Sequence, residues 1–569
     1  MKFQVPNSNS RWMPTIFFFA ALLAYIPGVW WGAPEGSLEV GTQRWSWGPD
    51  DETPLGPLIQ LHGVITHTVD RRNPGYPLMH PFLVGAAYIP YLTYLRLAGK
   101  LISVHAAYPF GLADPVSALR ILTYISHLIS ALMGAGIVAA AFYTGRLLWN
   151  IRVGILTATF VLVSYPMFYY ARNGNVDVPM LFFVALSLAC FARILKEGVN
   201  TRQAIIMGIC VGCALATKEQ AIGMFLAFPI VLLPLRWLQT RNSARWYGWA
   251  YWKPFAVVGI VALVAFGLGS GLFVDPKYYF AHYRFQQERL RLALSGEIVW
   301  IHPLPNTLEG NFQLAKLLLG YLINTMTLVG VVLAGVGLLW SVVKERSVSL
   351  FVLPVVSYVM VLSLMHFPQL RYTLPAAYVL SFFAARAVFI FVDSRYTALR
   401  MVGGISALIV ICMNLLSGVN LTYLMIKDSR YAAGRWLQMH AFAGNHIDYF
   451  GMPRGYPAIA EGITLEPAIP LYFSRNPPRI EENAVQQTLQ GWKKRKPDFI
   501  IVMPDQMGKP GMLYSLTCPT DIYEGLLEGR FGYHLAAYFE TPALISWIGR
   551  PVLDYPSVNP PIRIFMPTK

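Results

Sequence analysis

Charged residues are scarce in this chain. They make up 13% of its 569 residues, against roughly 25% in a soluble globular domain. Hydrophobic residues reach 55%. That balance excludes a disordered chain and fits a cytosolic enzyme poorly. Cysteine is sparse too. Of Cys190, Cys210, Cys213, Cys412 and Cys518, four sit in apolar runs, so no disulfide framework is expected. A Walker loop, a dinucleotide fingerprint, an HExxH pair and a nucleophile elbow are all missing, as are internal repeats and low-complexity tracts. Acidic residues are the rarer sign of charge: 29 Asp and Glu against 45 Lys and Arg leave +16. An excess of that size raises nucleic acid as a partner and calls for another explanation before it is accepted.

What the chain has is apolar length. Runs able to cross a bilayer recur at 15–32, 118–144, 154–170, 178–194, 203–217, 220–235, 254–274, 317–340, 350–366, 373–392 and 401–423. The first lacks a cleavage site and ends in Pro27, Trp30 and Trp31, so it reads as a signal anchor with Lys2 and Arg11 inside. The run at 80–98 holds Pro90, Arg96 and three Tyr. If it lies in the interface rather than crossing, the N-terminal tail and the loops 145–153, 193–203, 236–253, 341–349 and 393–400 share one side. Together they hold 15 Lys and Arg against three Asp and Glu. That is the positive-inside pattern. It accounts for +12 of the +16, and a nucleic-acid footprint becomes unnecessary. The expected architecture is a polytopic α-helical membrane protein of about 11 spans over 1–423, with interfacial helices in a first outer loop at 33–117. A soluble extracytoplasmic α/β domain follows over 424–569, with strands near 446–451, 498–504, 532–540 and 562–567 and a helix at 429–440.

Polar groups at a membrane surface are the informative residues. The first loop contains Asp50, Asp51 and Glu52 in succession. Carboxylates this close repel one another, which raises one pKa and suits a general base or a metal ligand. The plainer reading is a solvated Gly-Pro-Asp turn. Asp177, where a helix re-enters the membrane before Pro179, is either a helix cap or a site acid. Lys218, Arg120 and Arg371 stand at span ends on the same face. Each alone reads as snorkelling; together they suit an anionic lipid headgroup. The outer loop 275–316 adds His282, Arg284, Arg289, Arg291, Trp300 and His302. Arg284 to Arg291 is amphipathic and suited to lie on headgroups, whereas His302 before Pro303 reads most simply as a loop histidine. Cys210 and Cys213 match C-x-x-C but lie in an apolar helix and read as packing. Lys493–Lys496 reads as a solvated turn.

The order of these short motifs resembles the GT-C membrane glycosyltransferases, in particular the protein-O-mannosyltransferase and aminoarabinose-transferase-like branch. The residues carrying the resemblance are Trp47-Gly-Pro-Asp-Asp-Glu52, Tyr76-Pro-Leu-Met-His80-Pro81, the helix led by Arg120, Gly145-Arg-Leu-Leu148, Ala171-Arg172 with Asp177-x-Pro179, Ala216-Thr-Lys218 and Arg371-Tyr-Thr-Leu-Pro375. It covers most of 1–425. The resemblance implies an inverting hexosyl- or pentosyltransferase that uses a polyprenyl-phosphate-linked sugar. Its acceptor is a protein, lipid or glycan, and membrane lipids are its surroundings. It implies a bacterial or archaeal-type plasma membrane, with the active site and tail extracytoplasmic. Asp51 is the first choice for the base, with Glu52, Asp50 and Asp177 beside it. Lys218 and Arg371 would meet the lipid phosphate, with Arg120, Tyr76, His80 and His302 as further substrate-binding candidates. No cofactor is certain, and a divalent cation stays open. The competing reading is a transporter or lipid flippase, which predicts paired repeats and charges near the bilayer midplane; the charges here cluster at one surface.

Overall fold

The computed structural model describes residues 12–35, 46–48, 51–68, 72–105, 108–240, 248–295, 304–305, 307–365, 369–450, 455–469, 484–503, 518–548 and 558–568. Asp50 and His302 lie outside the described residues, as do Lys2, Arg11 and Trp300.

The chain is a polytopic helical membrane protein with a small sheet at its C-terminal end. Among the described residues, eight helices are long and apolar enough to cross a membrane. Shorter apolar helices at Met13–Tyr25, Ile151–Val163 and Thr201–Thr217 fall on three more of the apolar runs. Met79–Leu97, the run read as interfacial, is not among the eight. It buries His80, Val84, Tyr88 and Leu95 along one face, while Ile89, Tyr94 and Leu97 are exposed.

Burial separates central helices from peripheral ones. Asp177–Glu197 and Leu370–Val392 have 67% of their most apolar window inside the protein, whereas Trp249–Gly269 has 17%. The exposed apolar side chains of the peripheral helices, such as Ile260, Leu263 and Leu268, suit lipid contact. The first span is shorter than its apolar run. It ends at Tyr25, because Pro27 cannot continue the helical hydrogen bonding and Gly28 turns the chain at φ +89°. The returning segment brings Trp31 down to full burial.

The tail holds a five-stranded sheet: β1 His446–Phe450, β2 Thr464–Pro467, β3 Phe499–Val502, β4 Tyr533–Phe539 and β5 Ile562–Pro567. The order is β2-β1-β3-β5-β4. β1 is parallel to β2 and β3, whereas β5 is antiparallel to β3 and β4. The run Phe499-Ile-Ile-Val502 is apolar at every position because both sheet faces are covered. Phe499 and Ile501 pack with Ala433 and Leu437 of the helix Ser429–His440. Ile500 and Val502 pack with Trp492, Ile522 and Leu526 on the other face. The Lys493–Lys496 run is a correction: Lys493, Lys494 and Arg495 form the last turn of the helix Ala484–Arg495 rather than a turn between elements.

Candidate active site

Asp51 is fully buried. Its Oδ1 accepts from the Thr53 N–H at 3.0 Å and the Thr53 hydroxyl at 2.6 Å. Its Oδ2 accepts from the Ser46 hydroxyl at 2.6 Å and the Gly174 N–H at 2.9 Å, and faces His127 Nε2 at 2.9 Å. Gly174 is required for that approach, since a Cβ there would stand 2.4 Å from Asp51 Oδ1 and from Thr53. His127 lies on the helix Pro115–Leu148. Its Nδ1 is 2.7 Å from the Val29 carbonyl oxygen. The imidazole thus bridges the Asp51 carboxylate and the backbone at Val29.

Carboxylate crowding at 50–52 was expected to raise a pKa, and at Asp51 the structure corrects this. Burial would raise it, but the hydrogen bond and charge of His127, with the hydroxyls of Ser46 and Thr53, hold the carboxyl below the usual range. Five donors surround those two oxygens, so the donor set leaves no room for a metal ion.

Glu52 turns the other way. It is half-buried, and the Asn73 side-chain amide donates to its Oε1. Asn73 begins a strap, residues 73–76, pinned from several sides. Gln60 Nε2 donates to the Asn73 carbonyl at 2.8 Å. The Tyr278 hydroxyl lies 3.1 Å from that carbonyl and 2.8 Å from that of Tyr76. His282 Nδ1 is close to the Pro74 carbonyl at 2.6 Å, and its Nε2 pairs with Glu219. Burial lowers the His282 pKa, but the hydrogen bond and charge of Glu219 outweigh it, and the net shift is upward. Arg72, paired with Asp275, lies 4.0 Å over the Tyr278 ring. Tyr278 and His282 belong to the helix Pro276–Leu294, which contains the expected amphipathic stretch.

On the far side of the strap stands a buried ion cluster. Lys218 Nζ donates to Asp177 Oδ1 at 2.6 Å, and Arg371 Nε is 3.7 Å from Asp177 Oδ2. The three side chains are 8%, 1% and 5% exposed for Lys218, Asp177 and Arg371. Two cations thus converge on one carboxylate. Lys218 also lies 4.7 Å over the Tyr372 ring and 6.0 Å from that of Tyr76. Asp177 is the first residue of the helix Asp177–Glu197 and makes no side-chain cap; its carboxylate goes to the cations instead.

The structure therefore brings Asp177, Lys218 and Arg371 together, with Tyr76 alongside, and sets Asp51 and Glu52 on the neighbouring loop. Arg120 stands apart: its Nε donates to the Pro34 carbonyl at 2.8 Å. His80 is buried, and burial pushes its imidazole down to about 4 against the pull of Asp51, so it is neutral near pH 7. Arg172 is a clamp, its guanidinium donating to the carbonyls of Ala24 and Tyr25 and to the Thr422 hydroxyl. Sequence reasoning missed His127 and Asn73. The signal for His127 was there: an ionisable residue inside an apolar span, two helical turns beyond Arg120. In the tail, His446, Asp448 and Glu466 have metal-ligand spacing. Arg495 already pairs with both carboxylates, at 2.7 Å and 3.5 Å, which does not fit a cation there.

Residues 125–267 match the family model described as dolichyl-phosphate-mannose-protein mannosyltransferase. That segment contains His127, Gly174, Asp177, Lys218 and Glu219. The match supports the class read from the motifs, a GT-C membrane glycosyltransferase. No curated protein matches the chain. Among solved structures, ArnT from Cupriavidus metallidurans bound to undecaprenyl phosphate aligns at 10% identity and TM-score 0.44, covering 98% of each chain. The Archaeoglobus fulgidus oligosaccharyltransferase in complex with Zn and sulfate aligns at 13% identity and TM-score 0.46, covering 97% of this chain and 88% of that one.

Proposed function

We propose that the protein moves a sugar from a polyprenyl-phosphate donor to an acceptor hydroxyl or amine at the outer face of the membrane, in a single displacement that inverts the sugar's anomeric carbon. The observation that carries this reading is the buried Asp177–Lys218–Arg371 cluster, in which two cations converge on one carboxylate beside the strap that joins it to the first-loop acids. The donor is a phosphodiester with one negative charge. Breaking its sugar–phosphate bond adds a second charge to the leaving phosphate. Cations fixed next to that oxygen stabilise the transition state more than the ground state. A carboxylate of the first loop takes the acceptor's proton. The loop charge count supports placing the N-terminus inside and the first loop and tail outside. The decisive experiment incubates the purified full-length protein with membrane extract and a panel of radiolabelled polyprenyl-phosphate sugars. Transfer of label from one donor, abolished by removing the protein, is the expected result. No transfer from any hexose or pentose donor would overturn the reading.

A further inference from the structure

We propose that Glu52 receives the acceptor's proton, while Asp51 and His127 form a buried pair that positions both outer loops around it. This rests on the transferase reading and assigns the roles within it. A carboxylate offers about four lone-pair positions. Asp51 has five donors on them and no exposed surface. To take a proton from an acceptor it would have to release one of those donors and come out of the protein. What its bonds do is hold things in place. Ser46 and Thr53 fold the first loop around the carboxylate, His127 ties it to the helix Pro115–Leu148, and the Gly174 N–H ties it to the second loop. Three residues after Gly174 comes Asp177, which orients Lys218. His127 completes the bracket by reaching the Val29 carbonyl where the first span ends.

Glu52 follows Asp51 in the chain and faces the other way, half-buried against Asn73. The strap that begins at Asn73 ends at Tyr76, whose ring lies beside Lys218. Glu52 is thus tied to the strap that meets the cation cluster. The step balances simply. The acceptor's oxygen or nitrogen forms a bond to the sugar's anomeric carbon, and its proton passes to the Glu52 carboxylate. The bond from that carbon to the phosphate oxygen breaks, and its electron pair leaves with the polyprenyl phosphate.

The test uses the full-length protein in nanodiscs, with three readouts. The first is labelling of native carboxyls by a water-soluble carbodiimide and glycine amide, read by peptide mass spectrometry. Glu52 should be modified and Asp51 not. The second is melting temperature together with binding of undecaprenyl phosphate. Asp51→Asn and His127→Leu should lower both, His127→Gln should recover part of the loss by keeping one donor towards Asp51, and Glu52→Gln should change neither. The third is transfer rate against pH. Glu52→Gln should lose about 10²–10⁴ in kcat. Asp51→Asn should keep the acid limb of the wild-type profile in whatever activity remains, because Glu52 still titrates. The assignment is overturned if Asp51 is the labelled residue, or if Glu52→Gln keeps wild-type turnover while a stable Asp51→Asn loses it. Absence of transfer by wild type from every donor would instead overturn the transferase reading; the labelling and melting results are read independently of that outcome.

Discussion

Lys218 sits between two demands on its charge. Asp177 holds its ammonium at 2.6 Å, and the proposed reaction asks the same ammonium to meet a phosphate. Lys218→Met leaves Asp177 buried with Arg371, at 3.7 Å, as its one charged neighbour among the described residues. Losing a charge-assisted hydrogen bond costs about 1.5–3 kcal/mol. The single variant should melt lower, and Lys218→Met/Asp177→Asn should recover most of that loss by removing the uncompensated carboxylate. Undecaprenyl phosphate should bind on the order of 10-fold to 100-fold more weakly to both variants. Calorimetric melting and lipid titration check this, and wild-type affinity in the double variant would reduce Lys218 to a structural partner of Asp177. The sequence made the acids and cations visible because each is a rare polar residue at the end of an apolar run. It could not show the division of labour between Asp51 and Glu52, because that depends on donors from Ser46, His127 and Gly174, up to 123 residues away.

The elements around the site differ in how they were legible. The spans follow from apolar length, and the helix Ser429–His440 has the bounds read for it. The end of the first span was overrun because hydrophobicity continues through Trp31 while Pro27 and Gly28 have already turned the chain. β2 was missed because Thr464–Pro467 has no apolar alternation; its partner β1 supplies the order. The helix Pro276–Leu294 gives the element-scale prediction, since it holds the strap through Tyr278 and His282. The His282 pKa is raised in the folded protein. A raised histidine stabilises fully below its unfolded value, and the contribution is lost as pH rises through the folded value. Melting temperature should therefore fall between pH 6 and pH 8 in part through this residue. His282→Gln should flatten that slope by about 1–2 °C. A slope unchanged in the variant would show that the Glu219 contact adds nothing to stability.

At the scale of the molecule, orientation is the property on which the proposed chemistry depends. In the proposed topology, which the charge count supports, the loop bearing Ser394 lies inside and the end of the Pro276–Leu294 helix outside. With native cysteines replaced, Ser295→Cys should react with a membrane-impermeant maleimide on intact cells. Ser394→Cys should react only after permeabilisation. The opposite pattern would invert the protein and move the proposed site to the cytoplasmic face.

Trp31 lies at the exit of the first span, yet its indole N–H donates to Asp428 Oδ2, 397 residues further on. The same oxygen accepts the backbone N–H of Asn559 and a guanidinium N–H of Arg430. Arg430 in turn covers the ring of Trp47, which neighbours Ser46 of the Asp51 cradle. During synthesis the first loop emerges long before Asp428, Arg430 and Asn559, the residues that fasten it. The loop must wait, unsealed, through the insertion of the spans between, so a chain arrested before Asn559 is expected to have those spans inserted and the cradle around Asp51 still unfastened.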